Sequence, residues 1–577
     1  MGTATPCVVV LGPADHVAGR TDLARRLSRQ LDEIASAVIP VSGPPGSAWV
    51  RVAEAIDAAP GPLGVVDATY VGHASPLGDT IADPRLGTAL LMDQAGVRGV
   101  LRIGRADLGA AHDAAVSLAA VGAPVRTAEL ADRLAAVGIE LRLVGPHPYE
   151  VGFADDVAQA QALLERTGHV DEHRLRLVAS ARPGDGFYST FVLRRASRHV
   201  TALALRLRLR PDTITVLSLL IGLAAAVSFA VGAQWALVAG AVLLQVSLVV
   251  DCVDGEVARY TRRFTAFGAW LDGVADRVKE FAVYAGLAVG AARFGGDVWL
   301  LAGAAMALLV ARHHIDFGFS VRQEARAADT PQPGPADRAL PRIGRGAASL
   351  SDRTNERPAV RWAKRVIVMP IGERWLIISV VAVLWGPRAV LVVLLATGAI
   401  AAVYTTVGRV LRSHAETVAV ADAGRRDLAL LTDIPLLVPA RPPPQWMGSR
   451  LAWLGPATAR SAEFGVVLGV AAVVDGPAAV AAYVVLAAVA LHLYDLAYRL
   501  RHLRRPPAAW ATVAGLGSVG RSVVVVLAAA AGSTAFAVVC VAIAALVIAV
   551  SGLDGGTAWA GDSNATGPRV AAGGTAR

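Results

Sequence analysis

The chain has 577 residues, 54% of them hydrophobic and only 18% charged, with a mean hydropathy of +0.50. A soluble domain is about one quarter charged, so the deficit excludes general disorder and a charge-rich soluble assembly, and the length implies several domains. A net charge of +9 would suit nucleic acid, an anionic membrane surface or a phosphorylated substrate; the long apolar runs decide for the membrane, and no nucleic-acid partner is expected.

Residues 1–170 carry short apolar runs at 8–11, 37–41, 63–66 and 89–92, separated by Ala- and Leu-rich stretches of helical period. That alternation predicts an α/β domain with a mostly parallel sheet. No basic stretch followed by an apolar one opens the chain, so secretion is not expected. Cys7, Cys252 and Cys540 lie far apart in no metal-ligand spacing, which argues against a disulfide framework or a zinc site.

A linker, 171–212, follows. Arg194, Arg195 and Arg198 crowd its middle, and Leu203, Leu205, Leu207 and Leu209 alternate with arginines. A helix at head-group level with snorkelling arginine stems fits this pattern, with a soluble connector as the alternative. Spans are then expected at 213–233, 235–253, 268–292, 298–319, 375–385 and 389–410, and shorter ones at 464–474, 478–496, 519–531 and 535–550. The fold class is therefore multi-domain: an N-terminal α/β domain, an all-α polytopic membrane domain of six helices at 213–411, and additional C-terminal transmembrane helices at 461–552 of no assigned role. A linker at 412–460 separates the two membrane parts, and the Gly/Ala-rich residues 553–577 are expected to be a disordered tail. Arginine-rich stretches at 206–210, 322–374, 409–426 and 499–505 fall on one side if every span crosses once. Basic loops stay cytoplasmic, which predicts a multi-pass cell-membrane protein with its N-terminal domain and active site on the cytoplasmic side.

Residues 251–276 read DCVDGEVARYTRRFTAFGAWLDGVAD. Asp251 and Asp254 share one helical face, and Asp272 and Asp276 share another, one turn apart. Two antiparallel helices joined by a short loop would gather all four carboxylates near lipid, which is unfavourable without compensating cations. Hard divalent ions supply the compensation, and Mg2+ keeps positions for phosphate oxygens. Gly255 and Gly268 allow close approach, and the Arg259 guanidinium suits a diphosphate. A solvated loop with chance acids is the bland alternative; four aspartates, two glycines and an arginine in this register weigh heavily against it.

This stretch matches every fixed position of D-x2-D-G-x2-A-R-x8-G-x3-D-x3-D and so resembles the CDP-alcohol phosphotransferase family. The resemblance implies transfer of a substituted phosphate from a CDP-linked donor to an alcohol acceptor, with CMP released. It implies Asp251, Asp254, Asp272 and Asp276 as ligands of two Mg2+ (or Mn2+) ions, and Asp276 as the catalytic general base. Gly255, Arg259, Thr265 and Gly268 would contact the CDP part of the donor. The family's Pro-Asn-x-x-Thr opening of the first helix reads Pro211-Asp212-Thr213-Ile214-Thr215 here, so Asp212 and Thr215 are the matching donor positions, with Asp in place of Asn. CDP-diacylglycerol is the expected donor, in phospholipid biosynthesis with membrane lipid as partner. A soluble CDP-polyol such as CDP-inositol is the alternative, and a transporter or a catalytically silent scaffold the readings of another class. Transport would put charges near the bilayer midplane, and a silent scaffold would show losses in the signature.

Lys279, Arg312 and His313 are candidates for an acceptor site. Gly286 and Gly290 would let a helix pack closely, within the fold or across a homodimer, an assembly common among such proteins. Glu463, His492, Asp495 and Arg521 fall in or near apolar stretches, where pairing among themselves is expected, with lipid handling as the alternative. The segment from 170 to 223 also resembles fusions in which a sugar-phosphate nucleotidyltransferase precedes this membrane domain. The loop from Gly12 to Arg20 lacks that family's basic glycine-rich pattern, and Asp67 stands without a second acid, since Thr69 takes its place. A degenerate, regulatory or structural nucleotidyltransferase-like domain is the resulting expectation.

Overall fold

A computed structural model describes residues 6–12, 20–181, 186–294, 297–329, 358–415, 422–434, 449–474 and 477–563. The described residues form two compact units, one within Met1–Arg182 and Glu256–Phe264, the other within Pro183–Gly255 and Thr265–Asn564.

The first unit holds strands β1 (Cys7–Leu11), β2 (Ala37–Val41), β3 (Leu63–Asp67), β4 (Tyr70–Gly72), β5 (Ala89–Met92), β6 (Arg98–Ile103), β7 (Arg142–Val144) and β8 (Val151–Phe153). Its helices are α1 (Thr21–Asp32), α2 (Pro45–Asp57), α3 (Ala74–Ile81), α4 (Leu108–Val121), α5 (Thr127–Ala136), α6 (Val157–Gly168) and α7 (Glu172–Ala179). Six strands form one sheet in the order β2-β1-β3-β6-β5-β7, and β4 pairs with β8. Side chains alternate across the sheet as strand geometry requires. Val9, Leu11 and Val65 pack with Trp49, Val52 and Leu118 on one face, and Val8, Val10 and Val66 with Leu27, Leu31 and Leu77 on the other.

The runs read from the sequence become β1, β2, β3 and β5. Among the six paired strands only β6 is reversed: β1 runs parallel to β2 and β3, and β5 to β7, whereas β6 is antiparallel to both β3 and β5. The sheet is therefore mostly parallel, as expected, and the one reversed strand, β6, is what the sequence does not disclose. Arg98 and Arg102 interrupt its apolar pattern, yet Arg102 is buried and satisfies its guanidinium on the carbonyls of Leu86, Gly87 and Ile81. Asp67, at the end of β3, accepts from the Thr127 N–H at 2.8 Å and its hydroxyl at 2.7 Å. Most of the Gly12–Arg20 loop, residues 13–19, lies outside the described residues.

The second unit is helical: α8 (Arg194–Arg206), α9 (Pro211–Val231), α10 (Gln234–Thr261, whose end belongs to the first unit), α11 (Ala266–Ala292), α12 (Trp299–Asp329), α13 (Pro358–Val368), α14 (Ile371–Ala415), α15 (Asp422–Leu431), α16 (Gly455–Val473), α17 (Ala478–Tyr498), α18 (Ala509–Ala514), α19 (Gly517–Ala530) and α20 (Ser533–Ser563). Among the described residues, seven helical stretches are long and apolar enough to cross a membrane, the pattern of a multi-pass membrane protein. α11 and α16 are not among the seven. Both carry buried ionic groups, Arg277, Lys279 and Glu280 on α11 and Arg460 and Glu463 on α16. In α14 the backbone leaves helical geometry at Gly386 (φ 83°, ψ 175°), just before Pro387. The break separates the two spans expected at 375–385 and 389–410.

Gly286 and Gly290 act inside the fold. A Cβ at Gly286 would lie 2.2 Å from the Ala226 carbonyl oxygen, and one at Gly290 2.3 Å from that of Phe229. Only hydrogen fits there, so α9 and α11 pack backbone to backbone. On α8, Leu203 is exposed while Ser197, Thr201 and Ala204 are buried, so the segment is helical with one buried face. The C-terminal expectation needs correction. Residues 553–563 continue α20, and Trp559 is buried, its indole donating to Asp495 Oδ1 at 3.0 Å. One aromatic anchor therefore outweighs the Gly/Ala composition; 564–577 lie outside the described residues.

Candidate active site

Asp251 and Asp254 sit in α10 and Asp272 in the first turns of α11. One carboxylate oxygen from each lies within 4.8 Å of the others, a group able to hold a metal ion. The α11 N-terminus is fixed by Thr265, whose hydroxyl accepts from the Gly268 N–H at 2.9 Å, a standard N-cap. α9 supplies the third wall. Thr215 donates to Asp254 Oδ2 at 2.5 Å, and Asp212 Oδ1 would lie 3.1 Å from a Cβ at Gly268. The Pro-Asp-x-x-Thr opening and the aspartate pairs thus converge. The Gly255 N–H donates to Asp254 Oδ1.

Lys279 was read as an acceptor candidate. It is fully buried and committed to the carboxylates: its ammonium bonds Asp251 Oδ1 and Ser218 Oγ and lies 3.0 Å from Asp276 Oδ1. Ser218, which also donates to Asp251 at 3.2 Å, was missed, although it stands one turn beyond Thr215 on the same face of α9. Arg312 donates to the Val368 carbonyl, and His313 bonds the Tyr494 hydroxyl. Among the described residues neither is bonded to the carboxylates. Behind Asp276, Arg277 and Arg374 clamp the buried Glu280 at 2.9 Å each, and Tyr284 donates to it at 3.1 Å. Arg277 also approaches Asp276 Oδ2 at 3.8 Å.

The remaining signature residue belongs to the first unit. Arg259 donates to the Ser180 carbonyl, and three residues on, Arg262 pairs with Asp79 at 2.9 Å and with the Ser75 carbonyl at 2.9 Å. The donor set in α10 and α11 fits a hard divalent ion. Its ligand atoms are all carboxylate oxygens, and the acids Asp251, Asp254, Asp272 and Asp276 outnumber the one ammonium, Lys279, bonded among them. A cation relieves that excess in a site near lipid.

Of the four C-terminal candidates, Glu463 and Arg521 pair with each other as expected, whereas His492 and Asp495 find other partners. Arg521 bonds Glu463 Oε1 at 2.7 Å and Asp433 Oδ2 at 2.6 Å, and Arg460 pairs with the same Glu463. His492 bonds Ser551 at 2.7 Å. Asp495 accepts from both Trp270 (2.9 Å) and Trp559 (3.0 Å), which joins α17 and α20 to the helix that carries Asp272 and Asp276.

Comparison with known proteins matches two segments of the chain. Residues 208–351 match the family described as CDP-alcohol phosphatidyltransferase, and residues 436–571 a family of unknown function, DUF5941. A bifunctional IPC transferase and DIPP synthase of Aquifex aeolicus is 34% identical over 140 residues, 24% of this chain and 29% of that protein. A phosphatidylinositol phosphate synthase of Mycolicibacterium smegmatis is 39% identical over 136 residues, 23% of this chain and 57% of its own. An archaetidylinositol phosphate synthase of Methanothermobacter thermautotrophicus is 38% identical over 93 residues, 16% of this chain and 46% of its own. The chain therefore spans between about a third and somewhat over half of the length of these relatives. The aspartate constellation on α10 and α11 lies within residues 208–351, the segment that matches the CDP-alcohol phosphatidyltransferase family.

Proposed function

We propose that this domain transfers a substituted phosphate from CDP-diacylglycerol to an alcohol, releasing CMP, as a membrane enzyme of phospholipid synthesis. The observation that carries the reading is the trio Asp251, Asp254 and Asp272, within 4.8 Å of one another, inside the segment that matches the family. These three would hold a divalent ion, which when bound offsets the diphosphate charge that repels an incoming nucleophile. Thr215 orients Asp254, and Lys279 holds Asp251 as an ionised ligand. Asp276, outside the trio, takes the proton of the alcohol as its oxygen bonds to phosphorus and the bond to CMP breaks. Asp212, Gly255, Thr265 and Gly268 receive the CDP part.

A lipid donor is supported by an apolar cavity of about 590 Å³ lined by Val192, Ala241, Val246, Val249, Leu376 and Val380 among others. The volume suits apolar chains, and the lining lies on a different face of α10 from Asp251 and Asp254. A second reading keeps the chemistry and takes a soluble CDP-polyol such as CDP-inositol; the bifunctional Aquifex relative favours it. We place the site and the N-terminal unit on the cytoplasmic side, from the arginine distribution. For that unit we propose a structural or regulatory role, because Asp67 is already engaged by Thr127.

The test is CMP release by the full-length protein in detergent with Mg2+. CDP-diacylglycerol and CDP-inositol are each offered with inositol phosphate, glycerol phosphate or serine. Release with the lipid donor, abolished by EDTA, is expected; no release from any pair overturns the proposal.

A further inference from the structure

The segment 436–571 lends the site a residue. Tyr498, the last residue of α17, lies on Gly273 of α11. A Cβ built at Gly273 would be 2.1 Å from the Tyr498 hydroxyl oxygen and 2.2 Å from its Cζ. Any side chain at position 273 would occupy the place of the phenol.

The ring is held on two sides. His502 stacks on it at 5.7 Å and 18°, and Phe317 meets it edge-on at 6.2 Å and 76°. Its charged neighbours are Asp272, Asp276, Arg277 and Arg501. Gly273 lies between the two aspartates, and Gly273 and Asp276 are three residues apart on one helical face. Among the described residues the Tyr498 hydroxyl makes no hydrogen bond. The ring is only partly buried and its hydroxyl is not sealed inside the protein, so a clamped ring with an O–H uncommitted among the described residues stands open to a ligand beside two carboxylates. Tyr483, earlier on the same helix, shows the packing case, since its hydroxyl donates to the Phe281 carbonyl at 2.6 Å.

We propose that Tyr498 is an acceptor-binding residue: its hydroxyl donates a hydrogen bond to the alcohol substrate held beside Asp276. This rests on the phosphotransfer reading above and gives the C-terminal segment a part in it. α17, anchored to α11 through Asp495 and Trp270, completes the acceptor side of a site whose metal ligands all come from α10 and α11.

The experiment compares full-length wild type, Y498F and Y483F, with CMP release measured while donor and acceptor are varied separately. Y498F is expected to lower kcat/KM for inositol phosphate or glycerol phosphate by roughly tenfold, the loss of one hydrogen bond to a charged or polar substrate, with the donor KM unchanged. Y483F should lower the midpoint of thermal unfolding without separating the two substrates. A Y498F enzyme with wild-type kinetics overturns the assignment, as does an equal loss toward both substrates with a lowered unfolding midpoint. Absence of turnover in the wild type overturns the phosphotransfer reading, and this assignment with it.

Discussion

Asp276 differs from its three companions in what surrounds it. Asp251, Asp254 and Asp272 converge on one point, whereas Asp276 lies outside that group, shares Lys279 with Asp251 and also faces Arg277 at 3.8 Å. A base that removes a proton in the transition state contributes about 10²–10⁴-fold. The substitution D276N should therefore lower kcat by roughly that factor while CDP-donor binding, measured by calorimetry, stays near the wild-type value. Full activity in D276N would remove it from the base role. Asp67 gives a pH prediction in the other unit. Burial raises its pKa from 3.8 to about 6, against the lowering effect of the Thr127 hydrogen bonds. The folded chain thus binds this proton more tightly than the unfolded chain does. Stability is greatest below the unfolded value and falls as pH rises from about 4 to about 6, by about 3 kcal/mol at 1.36 kcal/mol for each pKa unit. Hydrogen exchange of β1 and β3 amides, corrected for the intrinsic pH dependence, should show that decline. D67N should flatten it; an unchanged slope would count against the assignment.

At the level of helices, the C-terminal ionic cluster links α16, α19 and the turn after α15. Arg521 is 2% exposed and bridges Glu463 and Asp433. Removing one partner of a buried pair typically costs about 3–5 kcal/mol, because the other charge is left uncompensated. R521M should therefore lower the unfolding midpoint of the full-length protein in detergent substantially. A midpoint within a degree of wild type would mean that the cluster does not hold these helices together. Pairing was readable in the sequence for Glu463 and Arg521, since lone charges in apolar helices need partners. Asp433 was not, because it lies in a stretch that reads as linker. β6 was hidden for a related reason: Arg102 looks like a surface residue until carbonyls of the 81–87 stretch are seen to surround its guanidinium.

Across the whole chain, what the sequence discloses follows the range of the forces involved. Apolar runs report burial within about 20 residues, so the break at Gly386–Pro387 and the strands β2 and β5 could be placed. The spacing Asp251-x2-Asp254 and Asp272-x3-Asp276 is equally local, which is why a cluster of carboxylates could be read directly as four acids, of which three converge. Contacts that close over two hundred residues left no local trace: Trp270 with Asp495, and Tyr498 with Gly273. Tyr498 ends a span like many others, and its place beside the aspartates follows only from packing. For the same reason composition misled at 553–563, where Trp559 buries itself in α20.

The glycine contacts between α9 and α11 carry a consequence for the chemistry. From Asp276 to Gly286 is ten residues of α11, about 15 Å at 1.5 Å per residue. At the far end of that lever, two carbonyl oxygens occupy the volume a methyl group would need. The distance between Thr215 on one rod and Asp272 on the other is thus calibrated by hydrogen atoms far from any substrate. The smallest possible enlargement there would pry the rods apart and detune the carboxylates without touching them.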